Sequence, residues 1–205
     1  METQSADHGY PYQKLQALKG LIGMEFISLH LRAAQIETEE ISVYEDFVVE
    51  LRSDTEVALL HLANGWFTPP ELPGRGHLNL TLRTYAIEEV TPQDAPSEAR
   101  AEYESVTKPL GVRYAALSEP GPLEEVQVNE GHAGQSPTAP DVRSVESIVL
   151  HFATGKALVL ISAEDRVVIK STTRKALENG ADPLHTIVDG QPRTIESIRV
   201  SAIAS

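Results

Sequence analysis

The chain has 205 residues and no cysteine; 41 % of it is apolar and 23 % charged, and its formal net charge is −13. That length supports one large domain or two small ones with a sizeable core. The missing cysteines exclude disulfides, thiolate nucleophiles, thiolate zinc sites and cysteine-ligated clusters.

From the N-terminus, Met1 to Lys14 is polar with no apolar h-region, so it does not read as a secretory signal. No run reaches the roughly 18 apolar residues needed to span a membrane, and the chain reads as cytoplasmic. Pro11 with Tyr12, Leu15, Leu18 and Ile22 predicts a short helix in an N-terminal segment, 1–21. A first β unit follows over 22–90. The stretch 91–109, rich in Pro, Ala and Glu, reads as a linker with room for a helical turn. A second β unit with longer loops occupies 110–205.

The two units share a pattern. Phe47–Leu51 lies over Ile148–Phe152, and without a gap Val57–Leu60 lies over Leu158–Ile161. The turns Ser53-Asp54-Thr55 and Thr154-Gly155-Lys156 join each pair of runs, so each unit contains a β-hairpin. Upstream, Ile22–Phe26 matches Leu110–Tyr114; downstream, Leu82–Ile87 matches Ile198–Ile203. The expected fold is therefore mainly β. Two diverged copies of a strand–hairpin–strand unit pack about a pseudo-twofold axis into one compact domain, with minor helical insertions such as Thr172–Asn179.

Where the units differ, function has room. Ser118–Val145 carries four prolines and three glycines and reads as a mobile surface loop. Asn64-Gly65 signals a tight turn, followed by the single tryptophan of the chain, Trp66, beside Phe67 and a proline pair. Trp66, Phe67, Arg75 and His77 form a candidate partner-binding surface, as aromatics anchor interfaces. The polar stretch Ser171–Arg193 includes His185.

Seven histidines invite a metal reading. His30, His61 and His151 each sit between apolar residues, which on a strand places them on the opposite, solvent-facing side. A metal would need His30 and His61 to converge with Glu25 or Glu50, and no zincin spacing supports one. His151 aligns with Glu50. His61, His151 and His185 are the candidate ligand-binding residues, in a groove between the two repeats.

No phosphate loop, dinucleotide fingerprint or nucleophile elbow is present, and no cofactor or catalytic residue is indicated. The first hundred residues carry −9 and the rest −4. No basic patch offers a surface to nucleic acid. The reading that follows is a non-catalytic binding protein that neutralises or chaperones a basic protein partner, in the manner of an immunity protein. Its alternatives are a small-molecule-binding protein or enzyme with a site between the repeats, and a structural or oligomeric β subunit.

Overall fold

The computed structural model describes residues 17–37, 40–67, 75–91, 97–133, 142–163, 165–179 and 195–201, with backbone alone at 65–67, 75–77, 130–133, 142–144, 195–198 and 200. The protein is mainly β, with two antiparallel sheets and few helices. The first sheet is built from β1 (Glu25–Leu31), β4 (Phe47–Arg52), β5 (Glu56–Phe67), β6 (Arg75–Ala86) and β7 (Val112–Tyr114). The second contains β2 (Ala34–Ile36), β3 (Glu40–Val43), β8 (Leu123–Ala133), β9 (Val142–Phe152), β10 (Lys156–Ser162), β11 (Val167–Thr173) and β12 (Ile195–Ser201). Short helices α1 (Ile87–Val90), α2 (Glu98–Thr107) and α3 (Arg174–Glu178) connect them. Among the described residues no helix is long and apolar enough to cross a membrane.

Strand order is β6-β5-β4-β1-β7 in the first sheet and β12-β8-β9-β10-β11-β3-β2 in the second. Read from β11 to β12, the second sheet repeats the order of the first, with β3 and β2 added beyond β11. The likeness extends to an irregularity. In β1 the register against β4 jumps between Phe26↔Leu51 and Ser28↔Glu50. In β8 it jumps against β9 between Leu123↔Phe152 and Glu125↔His151. Each jump is a bulge that reverses which alternate residues face the core. Beyond it Leu29 and Leu31 point inward in β1, as Val126 and Val128 do in β8. The two strands also meet: Leu123 N–H donates to Met24 C=O at 2.7 Å, and Gly23 N–H to Leu123 C=O at 2.8 Å.

Between the sheets lies one apolar core, fed by alternate residues of both: Phe47, Val49, Leu51, Leu60 and Leu62 from one side, Ile148, Leu150, Phe152, Leu158 and Leu160 from the other. Phe26 and Phe152 meet across it edge to face, with ring centroids 6.2 Å apart. Burying so many large aliphatic side chains supplies the main drive for the sandwich. Polar ties close one rim, where Asn64 Nδ2 donates to Ala163 C=O at 3.1 Å and Ser162 Oγ donates to Asn64 Oδ1 at 2.8 Å.

Each outer face is covered in part by a helix. Helix α2 begins at Ser97, whose Oγ accepts from Arg100 N–H at 3.0 Å, a conventional N-cap. Its Ala99, Tyr103 and Val106 pack on Val48, Val57, Leu59 and Tyr85 of the first sheet. Helix α3 is capped by Thr173, which accepts from Ala176 N–H, and lays Leu177 over Val149, Ala157 and Val159.

Several expectations need correction. Residues 123–133, expected to belong to a loop, form β8, because Val126 and Val128 alternate inward while Glu125 and Gln127 face out. Asn64-Gly65 makes no turn: β5 runs through it, paired Asn64↔Leu78 and Gly65↔His77, and the Asn64 amide ties the sheets together instead. Val112–Tyr114 does not open the second sheet but pairs with β1 at the edge of the first. β12, matched to β6 in the sequence, pairs with β8, and the strand that follows β10 in the second sheet as β6 follows β5 in the first is β11. The ungapped hairpin match also fails. Val49 faces Leu60, whereas Leu150 faces Leu158, so Leu60 corresponds to Leu158 rather than Ile161. The first hairpin is longer by three residues, an odd shift that exchanges inner and outer faces along its second strand.

Candidate functional site

The outer faces of β1 and β8, next to their bulges, carry polar residues at matching register positions. On the first sheet Ser28 faces Glu50 and His30 faces Arg113 of β7. On the second Glu125 faces His151 and Gln127 faces Arg199 of β12. The covering helices bury these groups, so His30 and His151 are 8 % and 5 % exposed rather than solvent-facing as strand alternation alone predicts.

The first cluster is closed. His30 Nε2 lies 2.6 Å from Glu50 Oε2, which also accepts from Ser28 Oγ at 3.1 Å and from Arg113 Nη2 at 3.4 Å. Arg113 Nε donates to Ser28 Oγ at 2.9 Å, and Tyr103 from α2 donates to Glu50 Oε1 at 3.2 Å. Burial raises the Glu50 pKa, but the hydrogen bond and field of His30, the Arg113 guanidinium and the Ser28 hydroxyl outweigh it and hold the carboxyl below its usual value. Burial, then the field of Glu50 and the bond to it, push the Tyr103 hydroxyl up to about 12. Ser, His and Glu together suggest a nucleophilic triad, but Ser28 and Glu50 both approach the same imidazole nitrogen. A relay needs the acid on one ring nitrogen and the nucleophile on the other. With Ser28 only 2 % exposed, this cluster is a structural brace.

The second cluster is open. Glu125, Gln127, His151, Arg174, Glu178 and Arg199 line a cavity of about 180 Å³ together with the apolar Val149 and Leu177. Both ring nitrogens of His151 are buried without a hydrogen-bond partner among the described residues. Glu125 Oε1 stands 3.8 Å from His151 Nε2 and 3.8 Å from Arg199 Nη1, and Arg174 Nη2 stands 3.6 Å from Glu124 Oε2. All three separations exceed hydrogen-bond length. Burial first, and the Arg174 charge second, push the His151 pKa below the ordinary imidazole value, so the ring is neutral near pH 7. A polar chain leads away from the cavity, from Gln127 Nε2 to Asn129 Oδ1 at 2.8 Å and from Asn129 Nδ2 to Ser147 Oγ at 2.9 Å.

The other candidate residues lie apart. His61 sits on the outer face of the first sheet, where its Nε2 meets Asp46 Oδ2 at 2.8 Å beside a cavity of about 210 Å³ that also touches Arg32 and Arg83. Those arginines are held by Glu45 at 3.3 Å and Glu102 at 2.7 Å, so this cavity offers fewer unmatched groups. His61 and His151 therefore occupy the two outer faces and share no groove, and the space between the sheets is apolar core. His185 lies outside the described residues. Trp66, Phe67, Arg75 and His77 stand on the paired ends of β5 and β6, with Trp66↔Gly76 and Phe67↔Arg75, and their side chains are outside what is described. Glu25 and Glu50 do not join His30 and His61 around one point, and among the described residues no group of three or more His, Asp or Glu is placed to hold a metal ion. Sequence reasoning singles out His151 and misses Glu125, Arg174, Glu178 and Arg199 as its neighbours. Period-2 alternation in 123–129 is the available signal for the first of them.

No protein-family model, curated protein or solved structure matches the chain.

Proposed function

We propose that the chain is a non-catalytic binding protein whose second sheet holds a small molecule in the cavity over His151. One observation carries this reading. A side chain 5 % exposed keeps both ring nitrogens without a hydrogen-bond partner among the described residues, at the wall of a polar cavity. Buried polar groups without partners cost about 1–3 kcal/mol each, so such an arrangement is retained where something else completes it. The cavity is too small for a peptide and suits a compact polar ligand.

A thermal-shift screen against small metabolites tests the reading. Compounds that bind raise the Tm of the wild type and not of a His151→Leu variant that is itself folded. A screen in which every stabilising compound acts equally on both proteins would remove the cavity as the site.

A second reading rests on the net charge of −13. An acidic protein steers a basic protein partner toward itself, as an immunity protein does, and the association weakens with salt. Binding to such a partner that is indifferent to ionic strength would count against it.

We also infer that the two sheets descend from one duplicated unit related by a pseudo-twofold axis. The matching strand order and the bulge at the same place in β1 and β8 support this. So does the antiparallel bridge Glu25↔Pro122, whose two members each stand one residue before the bulged pair's inward residue, Phe26 and Leu123. Antiparallel pairing of corresponding residues is what a twofold axis generates.

A further inference from the structure

We infer that the ligand of the His151 cavity carries a carboxylate group, a conclusion that rests on the cavity being a ligand site. The first sheet supplies the template. There a carboxylate, that of Glu50, occupies the space above the bulge and gathers a strand imidazole, the edge-strand guanidinium of Arg113 and the helix hydroxyl of Tyr103.

The second sheet builds the same frame without that group. Arg199 stands at the register position of Arg113, across from the residue that replaces His30. Helix α3 overhangs as α2 does and contributes Arg174 to the cavity wall. At the register position of Glu50, however, stands His151, whose neutral ring offers one N–H donor and no negative charge. Arg174, Arg199 and His151 line one cavity, and the carboxylates beside them stay at 3.6–3.8 Å, short of the contacts that Glu50 makes in the first sheet.

Glu125 does not take that role. It comes from the position of Ser28 and remains 3.8 Å from both His151 and Arg199, against 2.6 Å for His30 to Glu50. Glu125 and Glu178 leave the cavity close to neutral in sum, so specificity comes from local geometry rather than from net field. A carboxylate placed among Arg174, Arg199 and His151 displaces neither Glu125 nor Glu124 from a contact of hydrogen-bond length with them. Guanidinium recognises a carboxylate with two parallel N–H donors, which an amide or an amine cannot reproduce.

The test is a titration of the full-length protein followed by the imidazole carbon-bound proton resonances, with propionate, propionamide and propylammonium as separate probes. Propionate should move the His151 signal saturably, with a Kd on the order of millimolar for so small a molecule. His30, already bound to Glu50, should not respond. Arg199→Gln, at a largely exposed side chain, should keep the fold and weaken propionate about tenfold or more. A His151 signal that answers to propionamide or propylammonium but not propionate overturns the carboxylate and leaves the cavity as a ligand site. No response to any probe also overturns the carboxylate, and the metabolite screen then decides separately whether the cavity binds anything.

Discussion

Nε2 of His30 and Oε2 of Glu50 lie 2.6 Å apart on neighbouring strands, both buried, whereas at the matching level of the other sheet the Glu125 carboxylate stands 3.8 Å from His151 Nε2. One outer face is thereby closed by its own carboxylate, and the other is left open around an imidazole.

Replacing Glu50 by Ala removes the carboxylate from His30, Arg113, the Ser28 hydroxyl and the Tyr103 hydroxyl, while the Arg113–Ser28 hydrogen bond remains. Breaking a buried ion pair by removing one partner costs about 3–5 kcal/mol. Urea unfolding should show a loss at or near the lower end of that range, because Arg113 is more than half exposed and can turn to water. A loss below about 1 kcal/mol, the worth of an ordinary hydrogen bond, would mean the cluster is no brace.

The same cluster sets a pH signature at each end of the scale. Glu50 has a folded pKa below its unfolded value of 4.5, so its stabilisation is complete above that pH and is lost as pH falls through the lower folded value. Tyr103 is raised from 10.0 to about 12, so stability is retained below pH 10 and lost as pH rises from there toward 12. Tyr103→Phe should therefore lose less stability than wild type between those two values, as measured by denaturant unfolding at stepped pH.

His151 gives a third window. Its folded pKa lies below the unfolded value of 6.5, so the neutral ring stabilises the fold above that pH and the gain is lost as pH falls beneath it. His151→Gln should flatten the decline of stability just below pH 6.5. Equal slopes for both proteins there would show that the ring is not held neutral by burial.

Phe152 joins the sheets. It is fully buried and meets Phe26 edge to face across the core. Phe152→Ala should cost about 3–5 kcal/mol by chemical denaturation, the usual penalty for emptying an aromatic site. Gly155 in the β9–β10 turn has φ 77 and open space where a methyl group would sit, so Gly155→Ala should cost only the backbone term, about 1–2 kcal/mol.

The hairpins were legible in the sequence because their turns carry the expected residues: Ser53 Oγ accepts from Glu56 N–H at 3.0 Å, and Gly155 takes the positive φ of its turn. Helix α3 was legible for a similar reason, with Thr173 capping it and a glycine following at 180. Strand β8 was hidden because Pro120 and Pro122 precede it and Gly131 lies within it, although its Val126 and Val128 alternate cleanly. The Asn64-Gly65 signal misled because the preference of that pair for turns is local, while the two hydrogen bonds of Asn64 reach residues about a hundred positions away. Burial of His30 and His151 could not be read from strand period, which tells one face from the other but not whether a helix lies over it. The cavity was beyond reach for a related reason: Arg174 comes from the helix lying over the sheet and Arg199 from β12 through its pairing with β8, so neither is near His151 in sequence.

The most direct measurement is a crystal structure of the protein with the compound that raises its Tm most. That compound should sit on the outer face of the second sheet, within hydrogen-bond distance of a His151 ring nitrogen and of Arg199 or Arg174. A stabilising compound seated beside His61, or anywhere that leaves both nitrogens of His151 unpartnered, would contradict it.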